Sequence, residues 1–154
     1  NLKFEKVDLD KKQITHPRFI GGGNRPYTIT ASFARQVSQN KVILEDVSGR
    51  VTLKDGKVVS ILADAGDIII EGIKKANLYG NVSFIYDEGD VELWTNSVFL
   101  NLKEAYMEGN DPVEGESSYG SLKGEGFYIS QKSNFIRLKG NSEIIIEEEK
   151  ETFL

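Results

Sequence analysis

Apolar and polar residues alternate along most of this chain with a period of two, the pattern of strands that bury one face and wet the other. Val42 and Leu44 share one parity while Val47, Val51 and Leu53 share the other, which predicts a bulge near Asp46. A phrase then repeats: Val47, Gly49 and Val51 recur as Leu78, Gly80 and Val82, an offset of 31. At the same offset Ile61-Leu62-Ala63-Asp64-Ala65 aligns with Glu92-Leu93-Trp94-Thr95-Asn96, and weaker copies begin at Val113-Glu114-Gly115 and Leu138-Lys139-Gly140. Units of this kind cannot bury their apolar faces alone, so they are expected to stack as strand pairs around a shared interior.

Turn chemistry divides the strands. Asp55-Gly56 and Glu88-Gly89 are hairpin signals, and Gly109-Asn110-Asp111-Pro112 and Ser117-Ser118-Tyr119-Gly120 mark further turns. Pro26 fixes φ before Tyr27-Thr28-Ile29-Thr30-Ala31 and lacks a backbone donor, which predicts an edge strand there. The stretch 30–36 is helix-compatible, but its aligned copy favours strand, so the chain reads as almost entirely β. The last strand is expected over about 135–146. Residues 1–16 read as a flexible lead-in, 17–146 as one β domain, and 147–154 as a solvated acidic tail.

Composition removes several function classes. The chain has 154 residues, 28% charged and 39% apolar, which suits one globular domain with a real core. A net charge of −5 argues against a protein that wraps nucleic acid by neutralising phosphates, so no nucleic-acid partner is expected. Cysteine is absent, which excludes disulfides, thiolate metal sites and cysteine nucleophiles. The single histidine, His16, sits in the expected lead-in and leaves little for a Ser-His-Asp arrangement or a multi-histidine metal site. No phosphate loop or dinucleotide fingerprint is present, and Asp87-Glu88-Gly89-Asp90 reads as a polar hairpin tip rather than a calcium loop. No catalytic residue, metal site or cofactor is therefore assigned.

What the alternation does supply is an apolar interior. The candidate ligand-binding residues are Val51, Leu53, Leu78, Val82, Phe84, Leu93, Phe127, Ile129, Leu138 and Ile144. A sealed core is the ordinary destination of such residues. Glycines 49, 80, 115 and 140 all fall within the repeated phrase and are expected to leave gaps on one face, which favours a groove over a filled core.

An ordered set of short motifs carries a resemblance. Pro17-Arg18-Phe19-x-Gly21 and Arg25-Pro26-Tyr27-x-Ile29-x-Ala31-x-x-Ala34 come first, followed by Leu44-x-x-Val47-x-Gly49-x-Val51, Ala63-Asp64-x-Gly66 and Leu78-x-Gly80-x-Val82. Leu93-x-Thr95, Pro112-Val113-x-Gly115, Gly120-x-Leu122-x-x-Glu125-Gly126-Phe127 and Leu138-x-Gly140 complete it. Over about 17–146 the chain resembles the periplasmic domain of the LptC lipopolysaccharide-export family, in its alphaproteobacterial form. The resemblance implies a single open β-jellyroll, V-shaped in section. It also implies a non-enzymatic relay that takes lipopolysaccharide from an inner-membrane ABC transporter and passes it to the periplasmic bridge protein LptA. It further implies an N-terminal membrane anchor upstream of Asn1 and head-to-tail strand addition at the two edges. In this sequence those edges are expected at 19–31 (Phe19, Tyr27, Ile29, Ala31) and 135–146 (Phe135, Ile136, Ile146), which also offer self-association. Lys74, Lys75, Arg137 and Lys139 are candidates to meet lipid phosphates.

Three rivals accompany this reading. The soluble bridge protein of the same pathway shares the fold and phrase. A carbohydrate-active β-sandwich would place acidic pairs in a cleft. A purely structural β-module would have a closed interior.

Overall fold

The computed structural model describes residues 2–3, 7–8, 13–21, 26–52, 55–69, 75–86, 89–130 and 136–147. Among these the chain forms sixteen strands and no α-helix. In order they are β1 (Leu2–Lys3), β2 (Val7–Asp8), β3 (Gln13–Thr15), β4 (Arg18–Gly21), β5 (Tyr27–Thr30), β6 (Phe33–Ser38), β7 (Lys41–Thr52) and β8 (Val58–Ile69). Then follow β9 (Lys75–Tyr86), β10 (Val91–Asn101), β11 (Tyr106–Gly109), β12 (Val113–Ser117), β13 (Gly120–Gly124), β14 (Gly126–Ser130), β15 (Ile136–Lys139) and β16 (Glu143–Ile146). All pairings are antiparallel, and the sheet is open rather than closed into a barrel.

Four long strands, β7 to β10, give the molecule its shape because each belongs to two walls. In the first wall the order is β1, β4, β5, β7, β8, β9, β10, β12, β13, β16, using residues 47–52 of β7 and 91–95 of β10. In the second it is β2, β3, β6, β7, β8, β9, β10, β11, β14, β15, using residues 41–45 and 97–101. The ladder breaks where the walls meet: partners skip from Glu45↔Ala65 to Val47↔Ala63, and register shifts fall at Leu62/Ala65 and Thr95/Ser97. Asp46 (φ 53°), Gly80 (φ 82°) and Asn81 (φ 48°) adopt left-handed backbone there, which turns each strand across the crease. This is an open, jellyroll-like V, and the bulge anticipated at Asp46 is one of its corners.

Side chains replace the missing ladder bonds along the outside of the crease. Ser32 Oγ donates to Asp46 Oδ2 at 2.9 Å, Asn81 Nδ2 to Asp64 Oδ2 at 2.8 Å, and Ser97 Oγ to Asp111. At the last corner the Asn141 amide donates to Glu125 Oε2 at 3.1 Å. Thr95, 7% exposed, satisfies its hydroxyl by donating to the Pro112 carbonyl at 2.9 Å.

Several expectations require correction. The repeat identified the unit of two strands but not its phase. Leu62 is outward and 44% exposed whereas Leu93 is 6% exposed, so the second half-unit aligns at 32, with Ile61 matching Leu93. A one-residue slip swaps every side chain between faces. The stretch 27–31 is not an edge: β5 lies hydrogen-bonded between β4 and β7, because β1 and β4 add outside it. The single last strand expected over 135–146 is replaced, from 136 on, by two strands on opposite walls, since Gly140 (φ 67°) turns the chain at the last corner. Within the segment read as a lead-in, 2–3, 7–8 and 13–15 pair as strands, and Ile14 is buried against the core.

Candidate functional site

The inward faces of the two walls form one apolar interior. In the first wall Phe19, Ile29, Gly49, Ile61, Phe84, Leu93, Gly115, Leu122 and Ile144 are consecutive cross-strand partners, so a single register row runs the length of the sheet. In the second, Ile14, Ala34, Leu44, Gly66, Leu78 and Val98 form the matching row, continued by Gly109, Phe127 and Leu138. Directly opposite residues on paired strands point to the same face, so both rows project into the V.

Of the ten residues assigned to the groove, Leu78, Val82, Phe84, Leu93 and Phe127 are buried in this interior, and Ile129 and Leu138 pack against it partly buried. Val51 is half-buried and borders a small void. Ile144 lies on the same inward face, opposite Leu122, yet is 66% exposed because β16 is the outermost strand of its wall. Leu53 lies outside the described residues.

The interior is packed rather than hollow. Phe84 of the first wall meets Phe127 of the second edge-on, with centroids 5.9 Å apart and an interplanar angle of 71°, so an aromatic pair bridges the two walls. An apolar void of about 20 Å³ remains, lined by Tyr27, Leu44, Gly49, Ile61, Leu78 and Leu100 among others. That is room for roughly one water-sized sphere.

The expected glycine gaps are therefore mostly absent, for identifiable reasons. Gly49 alone leaves ordinary space, with its nearest neighbours at 3.8–3.9 Å from a Cβ position, and it borders the void. The room beside Gly115 is taken by Leu93, whose Cδ2 lies 2.5 Å from where a Cβ would stand. Gly80 and Gly140 serve the crease through their positive φ instead of opening the interior.

The predicted partner residues separate in the same way. Phe19 is fully buried, Tyr27 and Ile29 sit on the internal strand β5, and Ala31 lies at a corner in the core. Burial also pushes the Tyr27 hydroxyl pKa up. Ile136 and Ile146 are on β15 and β16, each paired on one side only among the described residues. Phe135 lies outside them. Arg137 stacks over the Tyr128 ring at 5.8 Å, and Lys139 Nζ reaches Glu108 Oε2 at 3.0 Å and Asn110 Oδ1 at 2.9 Å. Both cations alternate with inward Leu138 and so face outward, away from the interior. Lys75 is exposed at the start of β9, and Lys74 lies outside the described residues.

Sequence reasoning found one corner of the crease, at Asp46, and missed the others. The signal of the crease was present as short polar residues at each wall crossing, Ser32, Asp46, Asp64, Asn81 and Asp111, but these resemble ordinary turn chemistry until the register is known. No group of three or more metal-ligating side chains occurs among the described residues. No helix among them is long and apolar enough to cross a membrane.

Comparison with the curated proteins gave no match. The sequence does match, over residues 5–147, the model of the family described as "Lipopolysaccharide-assembly, LptC-related". That family is a component of lipopolysaccharide transport and not a family of enzymes, which removes the carbohydrate-active reading. With the match spanning nearly the whole V of paired strands, the chain belongs to the LptC family of lipopolysaccharide-assembly proteins.

Proposed function

We propose that the chain is a passive relay for lipopolysaccharide, in which acyl chains lie along the apolar interior while the phosphorylated sugar head stays in water. The observation that carries this reading is the unbroken inward row from Phe19 to Ile144, which extends an apolar wall along the whole sheet of a lipopolysaccharide-assembly protein. Each methylene moved from water onto such a wall contributes about 0.8 kcal/mol, so a ten-carbon stretch is held by roughly 8 kcal/mol without a hydrogen bond. Keeping the head outside spares its charges a desolvation cost.

A closed interior must open to carry a lipid, and the fold has one soft mode for doing so. Hydrogen bonds between strands run perpendicular to them and hence parallel to the crease. Rotating the walls apart about that line flexes backbone at corners such as Asp46, Gly80-Asn81 and Gly140 and breaks no ladder bond. Opening separates apolar contacts between the walls, Phe84 against Phe127 among them, and an entering acyl chain replaces them.

On this reading the domain works in the periplasm beside an inner-membrane anchor, receiving lipid from the ABC transporter and giving it to the bridge protein LptA. The one-sided strands β15 and β16 offer backbone groups for strand addition at the delivery end. The test is photo-crosslinking from Val82, Leu93 and Leu138 with purified lipopolysaccharide. Lipid adducts at these positions are expected. Adducts at none of them, with the fold intact, mean the interior is a core and nothing else.

A further inference from the structure

The outward face of the first wall carries large apolar side chains that no other part of the described chain covers. Leu62 and Trp94, 44% and 38% exposed, flank Ser83 in one register row, and the small serine leaves a low point between them. The next row begins at Ile20 on β4, passes Ile85 on β9 and ends at Ile145 on β16. Ile20 and Ile145 are exposed as well. These residues alternate along their strands with inward neighbours such as Phe19, Ile61 and Leu93, so they share the outer side.

Charge on the same face is sorted by side. β9 runs down its middle, with β8, β7, β5 and β4 in order on one flank and β10, β12, β13 and β16 on the other. The outward residues of the first flank include Arg18 and Arg50 and no carboxylate. The second flank bears Glu92, Glu114, Glu116 and Glu143 outward, and its cation Lys123 lies 3.8 Å from Glu114. Arg18, Arg50, Glu116 and Glu143 form no ion pair among the described residues.

We infer that this face docks a second copy of the chain, back to back, about a two-fold axis that lies between the sheets and parallel to β9. That rotation exchanges the flanks and keeps the level along the strands. Leu62, one strand from the axis, meets the partner's Trp94, and Ile85 meets its own copy. Two strands out Arg50 meets the partner's Glu116, and at the margins Arg18 meets the partner's Glu143 and Ile20 the partner's Ile145. Each contact occurs twice, as in any two-fold interface. The other two-fold, across the strands, lays each flank on its own copy and sets arginine on arginine and glutamate on glutamate. Packed sheets cross at about 30°, so the match is closest near the axis, where Leu62, Trp94, Arg50 and Glu116 lie.

The outer face of the second wall offers no such match. There Asn77 and Tyr79 donate to Asp67, Lys139 pairs with Glu108, and Tyr106 stacks on Tyr128 at 5.5 Å, so these groups already have partners. On the first wall, strands about 4.8 Å apart and about five residues long give a face of roughly 40 Å by 17 Å. A pair of such faces buries on the order of 1,300 Å², the lower end of a standard interface, which fits a dimer in the micromolar range. Stacking leaves the interior and the backbone edge of β16 free, so the inference is independent of the lipid-relay reading.

Sedimentation velocity on the full chain from about 1 to about 500 µM tests this, with Trp94 as internal probe because it is the only tryptophan. Dimer should form as concentration rises, and the Trp94 emission should shift to the blue in step as the partner's Leu62 covers the ring. Arg50→Glu and Glu116→Arg, both at exposed positions, should each weaken the dimer at least about tenfold by setting like charges together, with thermal melts unchanged. An equimolar mixture of the two variants should restore it, because the mixed dimer places opposite charges at both sites. A chain that stays monomeric throughout overturns the inference. A dimer that forms with no change in Trp94 emission, or that both variants leave untouched, also overturns it, since the copies then meet elsewhere, as by strand addition at their edges. Two folded, monomeric variants that fail to dimerise when mixed refute the axis and the proposal with it.

Discussion

Truncating Phe127 to alanine removes a fully buried ring from the place where the two walls touch. The ring fills the space left by Gly109, where a Cβ would stand 2.7 Å from its Cε1, and it sits edge-on to Phe84. A buried Phe→Ala change costs about 3–5 kcal/mol, because lost transfer energy adds to an unfilled cavity. About 0.5–1.5 kcal/mol of that belongs to the aromatic pair itself. For a chain of this length the melting temperature should fall by roughly 6–20 °C. Urea unfolding followed by far-ultraviolet circular dichroism measures the difference, and the double variant with Phe84→Ala isolates the coupling. Ile144→Ala, on the exposed rim, should stay within about 0.5 kcal/mol of the parent. If Phe127→Ala costs less than about 1 kcal/mol and does not couple to Phe84, the walls are not packed against each other and the closed interior is wrong.

Two further outcomes follow from the crease and the outer face. Gly140→Ala places a Cβ at left-handed φ against the Glu125 carboxylate and should destabilise by at least ~1–2 kcal/mol, whereas Gly56→Ala, also at positive φ but with open space around it, should cost only the backbone term; thermal melts of the two separate strain from collision. Tyr79 has its pKa pushed up to about 12, first by burial and then by its hydroxyl donating to Asp67 Oδ2 at 2.6 Å beside that negative charge. Its folded pKa lies above the unfolded value of 10, so the stability it contributes is complete below pH 10 and is lost as pH rises through about 12. Phenolate absorbance should show Asp67→Asn bringing the midpoint part of the way back, the burial component remaining, and an unchanged midpoint would refute the assigned role of Asp67.

The strands were legible because their faces differ. Val47 and Val82 each stand between polar neighbours, and the parity change at Asp46 located a corner from sequence alone. Phase was not legible, because the repeated glycines do different work. Gly49 keeps extended backbone within β7 while Gly80 bends β9 at positive φ, so matching them by identity misaligned the units. The fate of the candidate site depended on distances between walls that no single strand encodes. Leu93 filling the place beside Gly115 is a contact across strands, and the alternation of apolar residues is the same whether an interior is filled or hollow. Edges were misplaced for a related reason: the short strands at 2–3 and 7–8 carry too few residues to show a period, yet they cover what would have been the N-terminal rim.

The four long strands that cross the crease have a consequence for how the molecule melts. Since β7, β8, β9 and β10 each supply residues to both walls, neither wall can lose its order while the other keeps its own. The middle of the protein is thus a single cooperative block, and fluctuation is confined to the short outer strands. A protein built this way can let its rims breathe without risking the whole.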